Sequence, residues 1–322
     1  MRRPEPELPV VFDRSDAAGA GLSEEQIRRR AAAQWDRLRR GQFTQRPLDG
    51  EDRWRAQALA VLRAHRRPLV LSHASAARAW GLPSPISGWP PTTFTSDSPP
   101  VRRGSDAVVL VAALWDGDSV PIGVVRCTSV ARTVVDCARA LEPRDALAIA
   151  DAALHRGLTT VTALGAALDR QSRWPGSARA RRLLTLADGR RETALESWSA
   201  WAFALHKVPP PVWQVNVCDA EGVFLGRVDC WWPEGVVGEA DGALKYRLAA
   251  AERGGVRAES LAAVVDDERR RERGLRHAGL PMVRWSAGDV LVEPRAAALA
   301  AVLAAERRRA DPTRFMGRTF LA

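Results

Sequence analysis

Between Val212 and Ala240 three short strand-like runs follow one another with only tight turns between them, and few architectures accept such a stretch. The runs are Val212 to Cys218, Val223 to Trp232 and Val236 to Ala240, separated by turn signals at Asp219 to Gly222 and at Pro233-Glu-Gly235. A helical pattern from Glu192 to Lys207, stopped by Pro209-Pro-Pro211, precedes them. A helix from Ser260 to His277, a short strand from Met282 to Trp285 and an Ala-rich helix to about Arg309 follow. Helix, three consecutive strands, helix, strand, helix is met most simply by a mixed sheet flanked by helices. The predicted fold class is therefore α/β in the α+β sense.

With 322 residues the chain has room for about two domains at roughly 150 residues each. Residues 1–20 are rich in Pro, Asp and Glu without periodicity and read as a flexible arm. A helix is expected from Leu22 to Phe43, with Ser23 as N-cap and Ile27 facing inward, and a second from Arg53 to His65. From Leu69 to Gly189 short helices and strands alternate. Asp106 to Leu114 and Ser119 to Cys127 read as a strand pair around the Asp116-Gly117-Asp118 turn, and helices begin near Thr128, Pro143, Thr160 and Pro175. The expected organisation is an arm (1–20), a helical segment (21–66), a middle domain (67–190), the sheet-bearing domain (191–310) and a tail (311–322). The part before residue 191 is expected to be mainly helical with a small β element.

Composition excludes several functions. The first 20 residues lack the apolar core of a signal peptide, and no charge-free apolar stretch is long enough to cross a bilayer, so a soluble cytoplasmic protein is expected. The four cysteines form no CxxC pair and read as small core hydrophobes. No Walker loop, GxGxxG or GxSxG is present, which argues against nucleotide cofactors and serine-hydrolase chemistry. Formal charge is +10, from 48 basic and 38 acidic side chains, and favours a polyanionic partner. Nearly all of that basic charge is arginine. Against this background the Lys245-Tyr246 pair beside an acidic cluster stands out, because the chain holds only two lysines and one tyrosine.

The acids lie in GRVDCWWPEG and VVGEADGALKY. Strand alternation puts Glu239 and Asp241 on one face, a hairpin through Pro233-Glu-Gly235 brings Asp229 alongside, and Glu196 on the preceding helix is a fourth candidate. Carboxylates about 4 Å apart repel by roughly 4 kcal/mol at an effective dielectric of about 20. Such a cluster persists when a proton is shared or a hard divalent cation binds, and Mg²⁺ suits it because it keeps several waters. Turn and edge acids paired with the abundant arginines satisfy the same spacing. His73 reads as a cap or core residue, since no second ligand falls at metal spacing. On the helix before Met282 the arginines exceed the acids available to pair them, so Arg269, Arg270 and Arg273, with Arg284 on the next strand, are candidates for a phosphate backbone.

Several of these elements together resemble a known pattern. LES on the helix, GRVDCWWPEG, GEADGALKY and DDERRRERGLRHAGLPMVRWSAGDVL, in that order, are similar to the very-short-patch-repair-endonuclease-like branch of the PD-(D/E)XK nuclease superfamily. The resemblance covers about a third of the chain and implies a restriction-endonuclease-like sheet at residues 191–310. It also implies a Mg²⁺- or Mn²⁺-dependent endonuclease in which Glu196, Asp229, Glu239 and Lys245 are catalytic and Asp229, Glu239 and Asp241 hold the metal. The superfamily lysine normally lies two residues after the second acid, where this chain has Asp241, and Lys245 stands four further on.

A second resemblance joins the first. LVLSHASAARAWGLP, CTSVARTVVDCARAL, ALAIADAALHRGLTT and GSARARRLLTLADGRRETALES are similar to the central region of proteins related to AbiEi-like antitoxins of type IV toxin–antitoxin systems. GLSEEQIRRR and QWDRLRRGQF resemble remnants of the winged helix that often begins them. DNA is the implied partner, a toxin or another protein the further one. The alternative expectation is a non-catalytic DNA-binding regulator that keeps the nuclease scaffold.

Overall fold

The computed structural model describes residues 7–65, 68–98, 107–241 and 270–321. They form two compact units, one running to Trp80 and resuming over Trp89–Ser129, the other comprising Gly81–Gly88 and the chain from Val130 onward. Both units mix helices with sheets.

The first unit begins with α1 (Arg14–Gly19) and α2 (Glu24–Ala33), each opened by a reciprocal capping box, Asp13 with Asp16 and Ser23 with Gln26. Ile27 is buried, as its place in the pattern requires. The helix expected to reach Phe43 stops at Ala33, and a hairpin of β1 (Asp36–Arg39) and β2 (Gln42–Thr44) takes its place, turning at Gly41 with φ +80°. Aromatic packing decides this: Trp35 and Phe43 close on Phe12, with ring centroids 4.8 Å apart for Phe12–Trp35 and 5.7 Å for Trp35–Phe43. Val11 and Phe12 are fully buried, and Phe12 bridges to Phe43, so the expected arm is part of the fold from at least residue 11.

After α3 (Gly50–Ala64), the strands β3 (Val70–Leu71), β4 (Thr93–Ser96), β5 (Val108–Val111), β6 (Ser119–Ile122) and β7 (Val125–Thr128) form a sheet of order β5-β4-β3-β7-β6. The short helix α4 (His73–Ala79) follows β3. The expected pair around Asp116-Gly117-Asp118 does not form. β5 lies parallel to β4 at one edge, and β6 pairs with β7 at the other. This part of the chain carries a five-stranded sheet, more β structure than its sequence led us to expect.

The second unit opens with four helices, α5 (Val130–Ala140), α6 (Pro143–His155), α7 (Val161–Arg170) and α8 (Ser177–Leu184), packed through Val135, Leu147, Leu168 and Leu183. Inside them Arg132 and Arg139 both bond Asp136, at 2.9 and 3.2 Å, while Asp151 holds Arg191 at 2.6 Å. α9 (Ala194–Leu205) leads into β8 (Val212–Cys218), β9 (Phe224–Trp232) and β10 (Val236–Ala240), an antiparallel meander. A helical run over 270–277, α10, precedes β11 (Met282–Trp285), which joins parallel to β10. α11 (Ala287–Leu291) and α12 (Glu293–Arg309) follow, and β12 (Arg318–Leu321), in the expected tail, adds antiparallel to β8. The sheet order is β11-β10-β9-β8-β12.

Each face of this sheet buries its own core. Trp213, Cys230, Trp232 and Trp285 pack with Phe203 of α9 and with Leu299 and Leu303 of α12. Val215, Val217, Val228 and Val237 pack with Leu275 of α10 and with Leu280. Fully burying one such side chain contributes about 1.5–3 kcal/mol. In a regular strand residues two apart share a face. Here Trp213 and Val215 serve opposite cores, as do Val228 and Cys230. β8 and β9 thus change the face they bury at one level, and the residues at that level are Gln214 and Asp229. All four cysteines are buried and unbridged. Among the described residues no helix is long and apolar enough to cross a membrane.

Candidate functional site

Strand register assembles the acidic site. β9 and β10 pair Trp232 with Val236, Trp231 with Val237 and Cys230 with Gly238, so the next step sets Asp229 against Glu239. On the far side of β10, Glu239 stands opposite Arg284 of β11. On the far side of β9, the pairs Trp213–Cys230 and Val215–Val228 bracket Gln214 and Asp229. Gln214, Asp229, Glu239 and Arg284 therefore form a row across four strands.

Glu196 reaches the row from the first turn of α9, where Thr193 is the N-cap and accepts the Glu196 N–H. Its Oε1 accepts the Thr193 hydroxyl at 2.8 Å, and its Oε2 accepts the Glu192 N–H at 3.1 Å and Gln214 Nε2 at 2.9 Å. Asp229 Oδ2 accepts the Ala240 N–H at 2.8 Å, while Oδ1 lies 3.5 Å from the same Gln214 nitrogen. Glu239 Oε1 accepts Arg271 Nη1 of α10 at 2.9 Å, and that nitrogen also donates to the Arg227 carbonyl at 2.6 Å. The Arg271 stem crosses Gly226 so closely that a Cβ there would lie 2.7 Å from its Cγ and Cδ.

Burial sets the electrostatics. Desolvation pushes the Glu196 carboxyl above its ordinary range, and the Asp229 charge adds to that. Asp229 is raised by desolvation against the Ala240 N–H and the Arg271 charge. Glu239 is pushed from 4.5 up to about 7, burial outweighing its bond to Arg271. Asp229, at the level where β8 and β9 change faces, thus has a partly dry acid on either side.

The expected residues are distributed as follows. Glu196 and Glu239 each lie close enough to Asp229 to feel its charge. Asp241, expected beside Glu239 on the strand face, lies just past the end of β10; its backbone N–H bonds the Trp285 carbonyl at 2.7 Å, and its carboxylate is 3.8 Å from Arg284. Lys245 and Arg269 lie outside the described residues. Arg270 and Arg273 are exposed on α10, whereas Arg284 is half-buried, 3.4 Å from Glu272. Sequence reasoning missed two contributors. Gln214 is a polar residue inside the apolar run VWQVNVC, a signal that was there to read; Arg271 lies in an arginine run that marks none of its members.

No protein-family model matches the chain. Two curated proteins of Mycobacterium tuberculosis are similar to part of it: the uncharacterized protein MT2308 of strain CDC 1551 / Oshkosh and the uncharacterized protein Rv2248 of strain ATCC 25618 / H37Rv. Each is 36% identical over 107 residues, covering 33% of this chain and 39% of the relative's length. The chain thus spans about two fifths of the curated relatives it matches.

Could this row hold a divalent cation? Its carboxylate and amide oxygens are hard donors, and Gln214 Oε1 is buried without a hydrogen-bond partner, while the amide nitrogen is the atom that faces Glu196 and Asp229. Among the described residues no three His, Cys, Asp or Glu side chains form a metal-holding group, and Arg271 already neutralises Glu239. The residues fit a hard cation through Glu196, Asp229 and a neutral oxygen, with Glu239 able to join only where Arg271 withdraws.

Proposed function

We propose that this acidic row is the centre of a Mg²⁺- or Mn²⁺-dependent endonuclease that hydrolyses DNA phosphodiesters. Carrying the proposal is half-buried Asp229, one step beyond the Cys230–Gly238 pair, whose charge acts on both buried Glu196 and buried Glu239. The order of helix, antiparallel meander, helix and parallel strand is compatible with the restriction-endonuclease-like sheet that the sequence resemblance implies, and the net charge of +10 suits a polyanion.

Glu196 and Asp229 would hold the metal, with Glu239 as base or further ligand and Asp241 in an outer position beside Arg284. Bound there, Mg²⁺ would polarise the phosphate and acidify a water. Glu239, titrating near neutrality, is matched to accepting a proton from that water. Arg270, Arg273 and Arg284 would contact the phosphate backbone, with Arg269 and Lys245 extending that surface. Such contacts weaken steeply as salt rises.

The Glu239–Arg271 bond favours a second reading, a DNA-binding regulator of the antitoxin type without turnover, in which the guanidinium permanently replaces the cation. One experiment separates the two. Purified protein is incubated with single- and double-stranded DNA in Mg²⁺, Mn²⁺ or EDTA, alongside Asp229→Asn. Cleavage that needs metal and disappears in the variant supports the nuclease; a mobility shift without cleavage in any metal supports the regulator. Cleavage that survives Asp229→Asn overturns the site.

A further inference from the structure

Gln214 combines three features that a strand residue rarely carries together. Its backbone adopts φ +55° within β8, a left-handed conformation uncommon outside glycine. Its side chain is buried, with 5% of the residue exposed. Its Oε1 has no hydrogen-bond partner, while its Nε2 bonds Glu196 Oε2 at 2.9 Å and lies 3.5 Å from Asp229 Oδ1. Residues held in such unfavourable states persist where the surroundings force them, and they cluster at functional sites.

The remaining carboxylate bonds show what the amide is placed for. Thr193 holds Glu196 Oε1, and the Ala240 N–H holds Asp229 Oδ2. Glu196 Oε2, which also accepts the Glu192 N–H at 3.1 Å, and Asp229 Oδ1 both face Gln214. A side-chain amide is nearly symmetric in shape, so a half-turn about its last bond exchanges oxygen for nitrogen with little movement. After that exchange Oε1 would stand where Nε2 now is, 2.9 Å from Glu196 Oε2 and 3.5 Å from Asp229 Oδ1.

Those spacings match an ion. Ligands at about 2.1 Å from Mg²⁺ in an octahedron lie about 3 Å apart on adjacent corners, and Ca²⁺, with ligands at about 2.3–2.6 Å, spreads them to about 3.3–3.7 Å. The observed 2.9 and 3.5 Å span that range. Glu239 is engaged by Arg271 on the other side of Asp229.

We propose that Gln214 is a ligand of a divalent-cation site formed with Glu196 and Asp229, its amide donating to the two acids when the site is empty and turning Oε1 toward the ion when it is filled. This inference rests on the reading of the acidic row as a cation site, but places the ion away from Glu239. It also gives the left-handed backbone a purpose, since the reversal of faces at this level keeps the amide between the two acids.

The test is Mn²⁺ binding to the full-length protein, followed by isothermal titration calorimetry and by the loss of the free-ion electron paramagnetic resonance signal. Four variants are compared with the wild type: Gln214→Met, Gln214→Glu, Asp229→Asn and Glu239→Gln. Gln214→Met and Asp229→Asn are expected to weaken binding by about tenfold or more, as loss of a ligand or its support does. Gln214→Glu, which keeps an oxygen and adds charge, is expected to bind at least as tightly as the wild type; an amide serving only the fold would give no such rescue. Binding lost in Glu239→Gln but kept in Gln214→Met overturns this proposal and leaves an Asp229–Glu239 metal site standing. Weakening in both Gln214 variants reduces the amide to a structural role and overturns the proposal too. Absence of Mn²⁺ binding by the wild type overturns the cation reading and the proposal together.

Discussion

Replacing Glu239 with glutamine should stabilise the protein above neutrality and do little in acid. In the folded chain the Glu239 carboxyl is pushed from 4.5 up to about 7, because burial opposes the charged form more than Arg271 at 2.9 Å favours it. A carboxyl with a raised folded-state pKa binds its proton more tightly folded than unfolded, so stability falls as pH rises between those two values. Below about 4.5 both states are protonated and no cost arises; above about 7 the cost is complete. At about 1.4 kcal/mol per pH unit it reaches on the order of 3 kcal/mol. A glutamine side chain has the same shape, still offers Arg271 an acceptor and carries no charge to desolvate. Urea unfolding of wild type and E239Q, followed by tryptophan fluorescence from pH 5 to 8, should show a gap that opens with pH in favour of the variant. A gap that stays flat with pH, or a variant less stable than wild type at pH 8, would refute the argument.

Other perturbations probe the packing that holds the row. A Cβ at Gly238 would lie 2.6 Å from Trp285 Cη2 and 2.9 Å from Trp232 Cζ3, so Gly238→Ala overpacks this core and should cost about 1–3 kcal/mol, read as a lower urea midpoint with altered near-ultraviolet circular dichroism. Unchanged values for both would mean that the indoles shift freely. Arg191→Met strips the buried Asp151 carboxylate of a partner at 2.6 Å and should cost about 3–5 kcal/mol, measured as a fall in unfolding free energy. A midpoint equal to that of wild type would show that Asp151 does not need the guanidinium.

Much of the second unit was legible because its signals are local. Apolar runs cut by Gly and Pro place β8, β10 and β11 at their expected limits, and the Pro143 and Thr160 starts mark α6 and α7. The carboxylates were legible through register, since a short hairpin fixes which residue faces Asp229. What escaped depends on contacts between distant residues. The aromatic contacts of Trp35 and Phe43 with Phe12 overrode helix propensity after Ala33, and nothing near Ser119 indicates that β5 pairs with β4 instead. Arg271 reaches Glu239 from 32 positions away, and neighbouring arginines on the same helix disguise it. Gln214 was visible as an oddity, but its φ of +55° depends on a crossing of strands that alternation rules do not describe.

That crossing gives the sheet a seam. Above it the apolar side chains of β8 and β9 lean one way and below it the other, so at the seam neither oily layer claims the space. Groups planted there are sheltered from solvent yet belong to no hydrophobic stack, and they can be exchanged without tearing one open. The side chains at Gln214 and Asp229 can therefore change character while the surrounding tryptophans and valines keep the same architecture standing.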